Sequence, residues 1–218
     1  MSADAKSGSP LTRALLLFGI LTGPVFFAVA IIQMLTRPGF DIHHNAISQL
    51  SLGDLGGIQI ASFILTGLFA VLCAIGVRRA LKGQKGGTWG ALLIGTFGIG
   101  LIVAGIFPPD PGFGFPPGSP PGMPTTMSGH ASGHAAGFSV SMLSAIAGSI
   151  IFARRFGALK ESGWVGYCIA SAVAAPVLIV LTNIFMGWSG VIVALAGAVV
   201  FGWATAIAAR LRSELARA

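Results

Sequence analysis

Six predominantly apolar stretches, near positions 14–35, 57–77, 88–107, 133–153, 164–183 and 188–209, set the strongest limit on what this chain can fold into. A hydrocarbon layer about 30 Å thick is crossed by about 20 helical residues rising 1.5 Å each, and every stretch meets that length. Backbone N–H and C=O groups find no water there, so a spanning segment is a helix or a strand of a closed barrel. Barrel strands alternate apolar and polar residues over about 10 positions, whereas these runs are continuous. The expected fold is all-α: a six-helix transmembrane bundle. Composition agrees, because 9% charged residues beside 54% hydrophobic ones cannot keep a domain of 218 residues soluble, where about 25% charge is usual.

Loop charge predicts orientation. Lys6 and Arg13 precede the first span, Arg78, Arg79, Lys82 and Lys85 follow the second, Arg154, Arg155 and Lys160 follow the fourth, and Arg210, Arg212 and Arg217 follow the sixth, which puts 12 of 13 basic residues on one side. The positive-inside bias makes that side cytoplasmic, with both termini inside. The expected organisation is a short cytoplasmic tail over 1–12, one six-span domain over 13–212 with outer loops 36–56 and 108–132, and a second tail over 213–218. Arg13, the first apolar run and Ala28-Val29-Ala30 have the outline of a secretory signal, but the run continues through Ile31, Ile32, Met34 and Leu35, so an uncleaved anchor is expected.

The net charge of +7 sits at the ends of apolar runs without interleaved aromatics, a placement that serves membrane orientation and not a nucleic-acid surface. The bilayer is the expected partner, and a bacterial inner membrane the expected location. Cys73 and Cys168 both lie inside apolar runs and outside any CxxC, so they read as packing residues. Many of the 32 glycines recur inside spans, where small residues let helix backbones approach. Pro24 and Pro176 lie within spans and each frees a carbonyl. The two halves show no repeat, and no charged residue falls near mid-span, which leaves a small-solute transporter as the third-ranked reading.

Polar chemistry gathers at the outer end. His43, His44, His130 and His134 all fall there, with Asp41, Asp54 and Asp110, and the sole outer cation is Arg37. Gln33 ends the first span, Gln59 begins the second and Asn183 ends the fifth; with Asp41, His43 and Asn45 they are the expected polar lining of a pocket. Loop 36–56 carries Phe40, Ile42, Ile47, Leu50, Leu52 and Leu55, too apolar for a free linker. A short helix over the bundle mouth is expected, capped by Asp41 or Asn45. Loop 108–132 is so rich in proline and glycine that neither helix nor strand is expected, only an irregular cover or a mobile tether, with Phe113 and Phe115 available to close over a pocket.

The stretch SGHASGHAAG starts the fourth span. A helix beginning near Ser128 aligns His130, His134, Gly137, Ser141, Ser144 and Gly148 as a polar and small stripe facing the bundle interior. Two imidazoles one turn apart can share a metal. The candidate set for a divalent ion such as zinc is Asp110, His130, His134 and His44, without the glutamate of an HExxH site. Hydrogen-bonded interhelical histidines, or acid–base work without metal, are the alternatives. Haem is disfavoured, because two histidines on one helix turn cannot serve as its two axial ligands. His44, Ser48 and Asp110 are the catalytic candidates, although GxSxG is absent.

The stretches HNAISQLSLGDLGGIQIASFILTGL at 44–68 and GIFPPDP at 105–111, followed by a histidine-bearing start to the fourth span, resemble the bacterial membrane family of unknown function DUF998. The resemblance picks out His44, Ser48, Leu50, Gly53, Asp110 and one of His130 or His134, and implies a fold with no established activity. The expected function is therefore an outward-facing His/Asp pocket that binds a small ligand or metal, with hydrolase or transferase chemistry on lipid or envelope substrates as its enzymatic form. The alternative is a non-enzymatic membrane module for partner binding or for lipid or pH sensing.

Overall fold

The computed structural model describes residues 9–217 and contains six long helices: α1 Pro10–Thr36, α2 Gly56–Ala80, α3 Trp89–Ile106, α4 Gly129–Ala158, α5 Ser162–Leu181 and α6 Ser189–Arg217. Each is long and apolar enough to cross a membrane. Lys6 and most of the expected first tail lie outside the described residues, and α6 continues helically through 213–217, where a tail was expected. Local chemistry sets the helix starts. Ser9 caps α1 by accepting from the Thr12 N–H at 3.3 Å, ahead of Pro10, a position where proline's missing N–H costs nothing. Ser128 caps α4 by accepting from the Ala131 N–H at 3.0 Å, so the helix starts four residues before the apolar run at 133. Pro24 and Pro176 both lie within unbroken helices.

Helices α2, α3 and α4 pack side by side, α1 lies between α2 and α6, and α5 closes the outside against α4 and α6. In lipid there is no hydrophobic force between helices, so contact depends on close fit. Gly67 faces Gly98 across α2 and α3, and Gly100 faces Gly137 and Ser141 across α3 and α4, so closely that an added Cβ at any of these glycines would overlap the neighbouring helix. Between these seams, Phe26 stacks on Phe201 at 4.5 Å, and Phe63 and Phe97 meet those rings edge-on at 5.1 and 5.5 Å. Helix α5 buries only Cys168, Ser171 and Ala175 and leaves most of its length to lipid. Both cysteines are free and buried.

The two ends differ in chemistry. At one end Arg155 is buried and donates to Gln84 Oε1 at 3.0 Å and Glu214 Oε2 at 3.1 Å, while Arg210 pairs with Glu161 at 2.6 Å. The start of α1 and the end of α6 meet there, with Arg212 donating to the Arg13 carbonyl at 3.3 Å. The other end carries the two long loops and, among the described residues, only one cation, Arg37.

Candidate functional site

The loop after α1 folds back over the bundle instead of standing away from it. Arg37 ends the helix, its N–H donating to the Gln33 carbonyl at 2.8 Å, and Pro38 prevents continuation. Asp41 accepts from the His43 N–H at 3.0 Å and His43 Nδ1 at 2.7 Å. These two bonds, backbone first, hold its carboxyl below the usual carboxylate range. A short 3-10 helix, Ile47–Ser51, follows, with Ile47 and Leu50 buried in the bundle. Neither Asp41 nor Asn45 caps it. The side chain of Gln49 reaches back and accepts from the Ala46 N–H at 3.0 Å, because Asn45 Oδ1 already accepts from the Asp41 N–H at 2.9 Å. Helix α6 is docked on the same loop: the Gly190 N–H donates to the His43 carbonyl at 3.1 Å, and an added Cβ there would overlap the Ile42 and Asn45 carbonyls.

Residues 107–128 form an irregular cover, and 129–132, expected in the loop, are the first turn of α4. The Gly112 carbonyl accepts from Gln49 Nε2 at 3.2 Å and Asn45 Nδ2 at 3.4 Å, which pins the second loop on the first. Phe115 is fully buried, edge-on to Phe40 at 5.3 Å. The Arg37 guanidinium lies 5.1 Å from the Phe115 ring centroid and donates to the carbonyls of Leu50 at 3.0 Å and Leu52 at 2.6 Å. Arg37 thus fastens both loops, a role readable from the sequence only as a lone cation on an otherwise cation-free side. At the far end of the cover, Asp110 Oδ2 accepts from the Ser128 N–H at 2.8 Å. Ser128, through its hydroxyl and its N–H, holds the Asp110 carboxyl low.

The two α4 histidines part company. His134 is half-buried, and its Nδ1–H is shared between the carbonyls of Ala104 at 2.9 Å and Phe107 at 3.0 Å. These are acceptors that the end of α3 leaves without helical partners. That bond commits Nδ1 and leaves Nε2 as the acceptor of the neutral ring. His130, one turn earlier, is exposed beside Phe107 with a ring separation of 5.7 Å. The expected interior stripe therefore starts at His134 and continues through the buried Gly137, Ser141, Ser144 and Gly148, without His130. The reason is length: α3 ends at Ile106, so His130 stands beyond its last turn, beside the Phe107 ring.

Two adjoining cavities occupy this end. The mouth, about 340 Å³, is lined by His44, Ser48, Gln49, Asp110, Phe113 and Ser189 among others. His44 stacks on Phe113 at 6.1 Å. Below it a narrower cavity of about 80 Å³ runs among Phe26, Phe63, Phe97, Phe138 and Phe201, with His134 and Ser141 on its wall. Ser48 and Val193 line both. The apolar cavity carried no sequence signal, since its walls are residues of the kind that fill any helical core.

Other expected pocket residues lie elsewhere. Gln33 and Gln59 are buried and bonded to each other at 2.7 Å, with Gln33 Oε1 and Gln59 Nε2 left without partners. Asn183 is exposed and donates only to the Val180 carbonyl at 3.3 Å. Asp41 and His43 are exposed, the latter edge-on to Trp188 at 4.5 Å. Asn45 is buried in the loop clasp. Among the described residues no three His, Cys, Asp or Glu side chains come together as a metal site. His44, Asp110, His130 and His134 are each held by a different neighbour.

Residues 20–210 match the model of a family described as a protein of unknown function, DUF998. Neither the curated proteins nor the solved structures contain a match.

Proposed function

This chain belongs to the DUF998 family, and we propose that it binds a membrane amphiphile, its polar part held in the loop-end mouth and its hydrocarbon in the cavity below. The carrying observation is that Ser48 and Val193 line both cavities while polarity changes between them, from His44, Gln49 and Asp110 in the mouth to a cluster of phenylalanines in the other. Buried sites for small molecules are mostly apolar with a few placed polar groups, as here. Size sets the share of each part. At about 80 Å³ the lower cavity is near half the ~150 Å³ of an apolar cavity that admits benzene, so it takes a short piece of chain, and the mouth holds the rest. In this reading the protein sits in a bacterial inner membrane with its basic end in the cytoplasm, so the mouth opens on the outer leaflet side.

The test is native mass spectrometry of the full chain released from nanodiscs, comparing wild type with Gly197→Leu. Gly197 lines the lower cavity, and an added Cβ makes only ordinary contact with Phe27 at 3.7 Å, so a longer side chain enters the cavity without displacing backbone. Wild type is expected to retain an amphiphile that the variant loses at unchanged thermal stability. Equal retention by both proteins would defeat the proposal.

A further inference from the structure

Resting on that reading, the lining of the mouth also restricts the head group. We infer that the site takes a head that donates hydrogen bonds and carries no negative charge, a hydroxyl or an ammonium, and rejects phosphate. Phosphate sites are built from arginine, lysine or several free backbone N–H groups, and among the described residues no arginine or lysine lines the mouth. Of the cations among the described residues, all but Arg37 are at the opposite end of the bundle. Arg37 is 8% exposed, spends its two terminal nitrogens on the Leu50 and Leu52 carbonyls, and lies against Phe115 outside the mouth lining.

The helix termini nearby are partly answered from within the chain, the Ala131 N–H by Ser128 Oγ. The N-terminus of α4 is answered by the Asp110 carboxylate, and α6 gives its Gly190 N–H to the His43 carbonyl. The mouth wall therefore has one fixed charge, the negative one of Asp110, together with the His44 ring and the hydroxyls of Ser48, Thr126 and Ser189. A phosphate placed there would lose its water, meet no cation, and face a carboxylate. A hydroxyl or ammonium would find acceptors.

Three probes with the same twelve-carbon chain separate the head groups: monododecanoylglycerol, dodecylamine and dodecyl phosphate, each titrated into the full chain in phosphatidylcholine nanodiscs and read by native mass spectrometry. The glycerol ester, the amine or both are expected to bind at least tenfold more tightly than the phosphate. Met127→Arg, at an exposed position on the mouth rim, is expected to narrow that ratio by supplying the missing cation. Dodecyl phosphate binding wild type as tightly as the other two, with Gly197→Leu abolishing its binding, would overturn the head-group inference and leave the amphiphile site standing. Binding of no probe, or binding indifferent to Gly197→Leu, would bring down both.

Discussion

Replacing Arg37 tests whether the two loops form one fastened cover. Its guanidinium makes two bonds to main-chain carbonyls, at 3.0 Å to fully buried Leu50 and 2.6 Å to Leu52, and lies 5.1 Å from the Phe115 centroid. Hydrogen bonds to a charged group contribute about 1.5–3 kcal/mol each, and a desolvated cation–π contact adds up to about 2 kcal/mol. These terms share one side chain and do not add fully, so Arg37→Gln is expected to cost roughly 3 kcal/mol of loop closure, about a hundredfold in the opening equilibrium. The amides to follow by hydrogen exchange are those of Leu52, bonded to the Gln49 carbonyl, and of Phe113 and Gly114, bonded to the Gly122 and Pro120 carbonyls. Their protection should fall by about that factor while amides in α2 and α3 keep theirs. Arg37→Lys should fall between, since one ammonium keeps the charge but not the two-pronged geometry. Unchanged loop protection in a folded Arg37→Gln protein would refute the fastening role.

Acid should loosen the same cover at its other end. The Asp110 carboxyl is held below its ordinary value by Ser128, so its contribution is complete above the ordinary carboxylate range near pH 4 and is lost as pH falls through the depressed closed-state value. Exchange at the Ser128 amide should accelerate over that window in wild type, and Asp110→Asn should remove the Asp110 part of the dependence. The buried Gln33–Gln59 pair, 2.7 Å apart with one unpartnered atom on each amide, predicts a non-additive cycle. Either single change to Leu strands the other amide and should cost about 1 kcal/mol, while the double change should come back near wild type in detergent unfolding. Additive losses would count against the pair.

Burial on a membrane-facing scaffold leaves its mark on composition, and the six helices were legible for that reason; the observed bounds depart from the apolar runs by a few residues at most ends. The loops were legible only in part. Of the two aromatic rings expected to close over a pocket, Phe113 borders the mouth while Phe115 is buried against Phe40 and Arg37. The fastening of that cover depends on backbone carbonyls of Leu50, Leu52 and Gly112. Every residue type carries a carbonyl, so no sequence pattern announces which ones will be used.

The histidine pair shows where helical spacing stops being informative. His130 and His134 share a face by the i, i+4 rule, yet one ring is tied to α3 and the other is exposed. Periodicity fixes the direction in which a side chain leaves its helix, and whether anything waits in that direction depends on how far the neighbouring helix extends. Helix α3 ends at Ile106, and its last carbonyls, from Ala104 and Phe107, lie level with His134. Moving that end by one turn should therefore transfer the bond. Pro108 immediately follows Phe107 and disfavours helical continuation at the residue before it. Pro108→Ala is accordingly expected to lengthen α3 and move the imidazole bond toward His130, read as a change in the His134 ring nitrogen shifts by NMR.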